Sequence, residues 1–217
     1  MKVGLLALQG DVPEHRNALL AADPHIEIRL IARPDDLEGL DALILPGGES
    51  TTVADLLERT KLWYPLSERL QAGLPVLGTC AGLILLAREL EPSDSGRDPR
   101  TLGLLDIRVR RNDYGRQVES FEAPVEVERL RGGPFPGVFI RAPRILEVGS
   151  AATAYARRND EIVGVRSGMA FGLTFHPELS GDPRVLRAFL DAARQRKPKI
   201  KSTKTKRKAE PRRTASQ

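Results

Sequence analysis

Short apolar runs alternate with amphipathic segments through the first half of the chain. Lys2–Leu8 is almost continuously apolar, the pattern of a strand covered on both faces. Gln9-Gly10-Asp11 follows as a turn, and Pro13–Ala22 has helical spacing with a proline near its start. Glu27–Ala32, Asp41–Leu45 and Pro75–Thr79 read as further strands; Thr51–Arg59, Tyr64–Ala72 and Ala81–Leu90 read as helices. This rhythm predicts a parallel sheet with helices on both faces. The second half differs. Leu104–Arg110, Phe121–Val127, Gly137–Ile140, Ala152–Arg157, Glu161–Val165 and Ala170–Phe175 are strand-like and joined by short turns, so part of the sheet is expected to be antiparallel. Pro183–Arg194 closes the body as a helix, and Glu91–Arg100 is a polar loop free to move. The expected fold is therefore α/β: three layers, with a mainly parallel central sheet and antiparallel additions.

Charge divides the chain. The formal net charge is +5, yet residues 194–217 alone carry eleven Lys/Arg and one Glu. The remaining 1–193 hold 23 bases against 28 acids, so the body is acidic. The expected organisation is a folded domain over 1–193 and a basic tail over 194–217, too poor in apolar residues to offset the entropy of ordering. Nucleic acid is not expected as a partner beyond what that tail could touch. The single cysteine, Cys80, excludes an internal disulfide. No apolar stretch is long enough to span a membrane, and Val3–Leu8 is too short for a signal-peptide core. A cytoplasmic location is expected.

Chemistry concentrates at three places. Gly78-Thr79-Cys80-Ala81-Gly82 sits between an apolar strand and an apolar helix. Glycines on both sides of a nucleophile permit a very tight turn that exposes its side chain above the sheet edge. A helix start under the thiol favours thiolate, and the N–H of Ala81 is available to an oxyanion. A lone cysteine is more often a buried structural residue; the strand–helix placement argues for the nucleophile. His176-Pro177-Glu178 supplies a proton acceptor and donor with a carboxylate to hold its ring. The other two histidines, His15 and His25, are expected in surface roles. Pro46-Gly47-Gly48-Glu49-Ser50 ends the third strand on the same sheet edge as Cys80, where paired glycines let backbone N–H groups approach a ligand. The Gly-Lys-Ser/Thr ending of a phosphate-binding loop is absent there.

These motifs resemble the class I glutamine amidotransferases, a flavodoxin-like family with a Cys-His-Glu triad. Leu8–Val12, Pro46–Thr51, Gly78–Ala87, Arg111-Asn112-Asp113-Tyr114-Gly115-Arg116-Gln117, Phe139–Pro143 and Phe175–Leu179 are similar to one branch of it. That branch is the glutaminase subunits of bacterial pyridoxal 5′-phosphate synthase, and the likeness covers nearly all of 1–193. The resemblance implies that Cys80 is the nucleophile, His176 the general base and acid, and Glu178 its orienting carboxylate. Gly47, Gly48 and Glu49 would line the glutamine pocket, Arg111, Ile140 and Arg141 would contact the substrate, and Gly47, Gly48 and Ala81 would form the oxyanion hole. It implies L-glutamine as substrate, no cofactor or metal, and a synthase subunit as partner in a large hetero-oligomer. The rival readings are a glutaminase of another pathway, a cysteine peptidase or related hydrolase on a similar scaffold, and a non-enzymatic binding protein.

Overall fold

A computed structural model describes residues 1–93, 96–111 and 120–196. Residues 112–117 of the Arg-Asn-Asp-Tyr-Gly-Arg-Gln motif, and the expected tail from 197 onward, lie outside the described residues.

Burial of both faces makes the first strands. In β3 (Ala42–Leu45), Ala42 and Ile44 pack into one core and Leu43 and Leu45 into the other. β1 (Lys2–Leu6) divides the same way, Leu5 against Leu6. With β2 (Glu27–Ile31) and β4 (Val76–Thr79) these strands pair in parallel in the order β2-β1-β3-β4. Helices α1 (Val12–Ala22) and α5 (Arg184–Gln195) cover one face. Helices α2 (Ser50–Arg59), α3 (Trp63–Gln71) and α4 (Ala81–Leu86) cover the other. This is the three-layer α/β arrangement.

Further strands are β5 (Ala87–Leu90), β6 (Leu105–Arg110), β7 (Phe121–Val127), β8 (Phe135–Phe139) and β9 (Arg144–Val148). They are followed by β10 (Thr153–Arg158), β11 (Glu161–Ser167) and β12 (Ala170–Leu173). The main sheet has nine strands, β2-β1-β3-β4-β12-β11-β10-β7-β8. β12 lies parallel to β4, and every pairing beyond it is antiparallel. A second sheet, β5-β6-β9, packs on the α2–α4 side.

Three elements depart from expectation. The helix predicted over Ala81–Leu90 ends at Leu86, and Ala87–Leu90 becomes β5, with Ala87 opposite Leu105 and Leu90 opposite Val109. Ala, Arg, Glu and Leu are good helix formers, but pairing to β6 overrides that local preference. β8 begins at Phe135 rather than Gly137 and contains Pro136, which its place at the sheet edge permits. β9, a short stretch after Pro143, lies outside the strands that the sequence pattern predicts, and it exists as a strand through its antiparallel pairing to β6. Residues 94 and 95 of the 91–100 loop lie outside the described residues. Beside them, Asp98 accepts from the Ser93 N–H at 3.0 Å and pairs with Arg111 at 3.3 Å.

Candidate active site

β3, β4 and β12 run parallel, so the loops that follow them meet at one edge of the sheet. Those loops carry Gly47-Gly48-Glu49, Cys80 and His176.

Cys80 has φ +48°, a left-handed conformation that a residue with a side chain adopts at a cost. The neighbouring glycines make the turn possible. A Cβ at Gly82 would overlap the Leu45 carbonyl oxygen, and one at Gly78 would meet the Gly82 backbone at 2.6 Å. The elbow is thus pressed against the end of β3, and its conformation is held by sterics rather than by preference. The Cys80 side chain is nearly buried, with Sγ 4.0 Å from the Ile140 carbonyl oxygen. Ala81 opens α4, so its N–H has no intrahelical acceptor.

His176 follows β12 and is fixed by its own N–H, which donates to the Val138 carbonyl at 2.8 Å. Its Nδ1 lies 2.7 Å from Glu178 Oε1 and 3.3 Å from Asp11 Oδ2. Nε2 carries no hydrogen bond from any described residue, which leaves that nitrogen for Cys80. Burial opposes a charge on this ring. Hydrogen bonding to Asp11 and Glu178, together with the electrostatic attraction of the neighbouring Cys80, outweighs it and pushes the imidazole pKa up to about 12. Asp11 responds in the opposite sense: its bond to His176 holds the carboxyl below the usual range, against partial burial. Asp11, His176 and Glu178 place ligating atoms within 4.8 Å of one another, and here those atoms bond each other through one ring nitrogen.

The glycine loop closes the site from the β3 side. A Cβ at Gly47 would lie 2.5 Å from His176 Cε1, so only glycine lets the imidazole stand against this loop. The Gly47 carbonyl accepts from the Asp11 N–H at 3.2 Å. Gly48 has φ +148°, and the next N–H, of Glu49, donates to the Gln9 side-chain oxygen at 2.8 Å. Glu49 caps α2. Burial raises its carboxyl, and bonds from Thr52 and Thr51 outweigh this and lower it.

A cleft of about 280 Å³ opens over Cys80 and His176. Gln9, Gly48, Glu49, Arg111, Ile140 and Arg141 are in its walls, whereas Gly47 sits behind His176 rather than in the lining. The two arginines differ. Arg111 is engaged by Glu49 and Asp98, each at 3.3 Å, and by Thr51 Oγ1 at 3.1 Å. Arg141, with φ +43°, has no carboxylate partner among the described residues.

Sequence reasoning passed over three groups. The sequence places Asp11 in a segment near the active site and Thr79 in the elbow motif but gives neither side chain a role of its own. His15, for which the sequence pattern predicts a surface role, is fully buried against Thr79 and Glu178. A signal existed: His15, Leu19 and Ala22 fall at helical spacing on the one buried stripe of α1.

The model of the SNO glutamine amidotransferase family matches residues 5–195. The pyridoxal 5′-phosphate synthase subunit PdxT of Streptomyces coelicolor is 50% identical over 192 residues, 88% of this chain and 93% of that one. The PdxT of Pyrococcus horikoshii is 48% identical over 195 residues, 88% of this chain and 98% of that one. A crystal structure of a glutamine amidotransferase superposes with TM-score 0.80 at 47% identity, covering 88% of this chain and 98% of that one. The Thermotoga maritima PurLQS structure, at 18% identity and TM-score 0.62, shares the fold over 88% of this chain and 97% of its own.

Proposed function

The chain belongs to the SNO glutamine amidotransferase family, and from that premise we propose that it hydrolyses L-glutamine to L-glutamate and ammonia and passes the ammonia to a synthase subunit for pyridoxal 5′-phosphate formation. The observation that carries this reading is the nucleophile elbow at Cys80 beside an imidazole held by Glu178.

The geometry supports the following residue roles. The raised His176 pKa favours a thiolate–imidazolium pair with Cys80 at neutral pH. The Cys80 thiolate attacks the side-chain amide carbon of glutamine. The oxyanion is stabilised by the Ala81 N–H and by the Gly47-Gly48 loop. His176 gives its proton to the departing ammonia, leaving a γ-glutamyl thioester on Cys80. The neutral ring then takes a proton from water, whose hydroxide attacks the thioester; glutamate leaves and the thiolate returns. Glu178 orients the ring throughout. The substrate α-carboxylate is assigned to Arg141, whose guanidinium is not engaged by another carboxylate among the described residues. Arg111, held by Glu49 and Asp98, shapes the wall with Ile140. The chemistry requires no cofactor.

The relatives named as synthase subunits support a synthase as the partner. Ammonia released into water would be protonated and diluted, so direct transfer within a hetero-oligomer suits the chemistry. The proposed division is a glutaminase domain that runs to the end of α5 at Gln195, two residues past the boundary expected at 193, because Arg194 is inside that helix and pairs with Asp23 and Asp191, followed by the basic tail. No helix among the described residues is long and apolar enough to cross a membrane, and we place the protein in the cytoplasm.

The test is glutamate release from L-glutamine with and without the synthase subunit, using Cys80→Ala as control. Activity that rises with the synthase and vanishes in the variant is expected. Cys80-dependent activity indifferent to the synthase would move the protein to another pathway. Absence of Cys80-dependent release in both conditions would overturn the glutaminase reading.

A further inference from the structure

Behind the triad lies a buried histidine that the reaction as written does not use. His15 is on the second turn of α1 and has no solvent exposure. Its Nδ1 is 3.0 Å from the Asp11 carbonyl oxygen. A carbonyl only accepts, so Nδ1 carries a proton, and Nε2 can donate as well only in the imidazolium form of the ring. Nε2 faces two groups: the Thr79 hydroxyl at 3.2 Å and Glu178 Oε2 at 3.4 Å. That second carboxylate oxygen is buried and has no hydrogen bond of its own. A buried carboxylate oxygen without a donor is costly, and His15 Nε2 is the nitrogen that faces it. Thr79, also buried, immediately precedes the nucleophile. One nitrogen therefore adjoins helix α1, the elbow and the triad carboxylate together. If packing were all that the position required, an apolar side chain would fill it without burying polar atoms.

We propose that His15 is a positioning residue of the glutaminase reaction: as an imidazolium it donates from Nε2 to the far oxygen of Glu178, with the Thr79 hydroxyl beside that nitrogen, and so fixes Glu178 against His176 Nδ1. This rests on the glutaminase reading above. Without the His15 donor, Glu178 is free to rotate or to take up a proton, and His176 loses its nearest anionic partner. The imidazolium is then supported by Asp11 and the Cys80 thiolate alone. These, with Glu178, are the charged groups that face the His176 ring from the loop before α1, the elbow and the turn after β12.

The experiment compares His15→Leu, His15→Gln and His15→Asn in the full chain. It measures kcat and KM for glutamate release in the presence of the synthase, and the pH dependence of Cys80 alkylation by iodoacetamide. In His15→Leu, kcat is expected to fall about tenfold to a hundredfold, as for a displaced catalytic group, with KM unchanged. The alkylation midpoint moves to higher pH, because a less supported imidazolium stabilises the thiolate less. His15→Gln, whose amide N–H reaches the place of Nε2, regains most of both, and His15→Asn, which is shorter, does not. Wild-type kcat and alkylation midpoint in His15→Leu would overturn the proposal. If His15→Leu fails to fold, equal behaviour of the Gln and Asn variants would overturn it. Were the wild type to release no glutamate, the glutaminase reading would fall, while the alkylation comparison would still decide the role of His15.

Discussion

His176 Nδ1 has one proton and two carboxylates, which makes a double-mutant cycle on Glu178 and Asp11 informative. Glu178→Gln keeps the shape and an acceptor oxygen but removes the charge. The Glu178 side chain is fully buried, with Oε1 2.7 Å from Nδ1. A hydrogen bond to a charged group contributes about 1.5–3 kcal/mol and a neutral one about 0.5–1.5 kcal/mol, so support for the imidazolium falls by roughly 1–2 kcal/mol. If that loss appears in the transition state, kcat falls about fivefold to thirtyfold. Asp11 is farther away, at 3.3 Å, and its side chain is 34% exposed. Screening holds its contribution below about 1 kcal/mol, so Asp11→Asn lowers kcat by about twofold to fivefold. The two effects are not independent. With Glu178 neutral, Asp11 becomes the anionic acceptor, so the double variant should lose more than the two single losses together, by about 0.5–3 kcal/mol. The assay is kcat for glutamate release at saturating glutamine with the synthase present, alongside thermal unfolding of each variant. Losses that add to within about 0.3–0.5 kcal/mol would refute the shared proton.

Three further outcomes are expected. The His176 pKa is raised from 6.5 to about 12; its contribution to stability is therefore complete below pH 6.5 and is lost as pH climbs toward the folded value, since the folded state then binds the extra proton. Denaturant unfolding from pH 6.5 upward should show this decline, and His176→Gln should flatten it; the same slope in both would rule out His176 as its source. Gly82→Ala places a methyl group on the Leu45 carbonyl oxygen and should destabilise the protein by at least about 1–3 kcal/mol, as overpacking does; an unchanged melting temperature would contradict the close approach of elbow and β3. Arg141→Met should raise KM for glutamine well above any change in kcat, because a substrate carboxylate contact is made in ground and transition states alike; a fall confined to kcat would reassign the residue.

Much of this protein is determined locally and can be read from the sequence alone. Strands buried on both faces appear as continuous apolar runs, so β1, β3 and β4 are legible from hydrophobicity. The elbow is legible because glycines must flank a nucleophile forced into a left-handed turn, and His176-Pro177-Glu178 because histidine and carboxylate lie within two residues. Tertiary structure decided what depends on distant partners. Ala87–Leu90 has helix-forming residues and becomes a strand because β6 lies beside it. Asp11 and His15 look like an ordinary turn and helix face until the β1–α1 connection and the turn after β12 come together at the sheet edge. Only then does one carboxylate share the His176 proton and a fully buried imidazole face the back of Glu178. Local sequence records conformational preference and which face is buried; which buried polar groups meet is set by chain topology, and that meeting determines their charge.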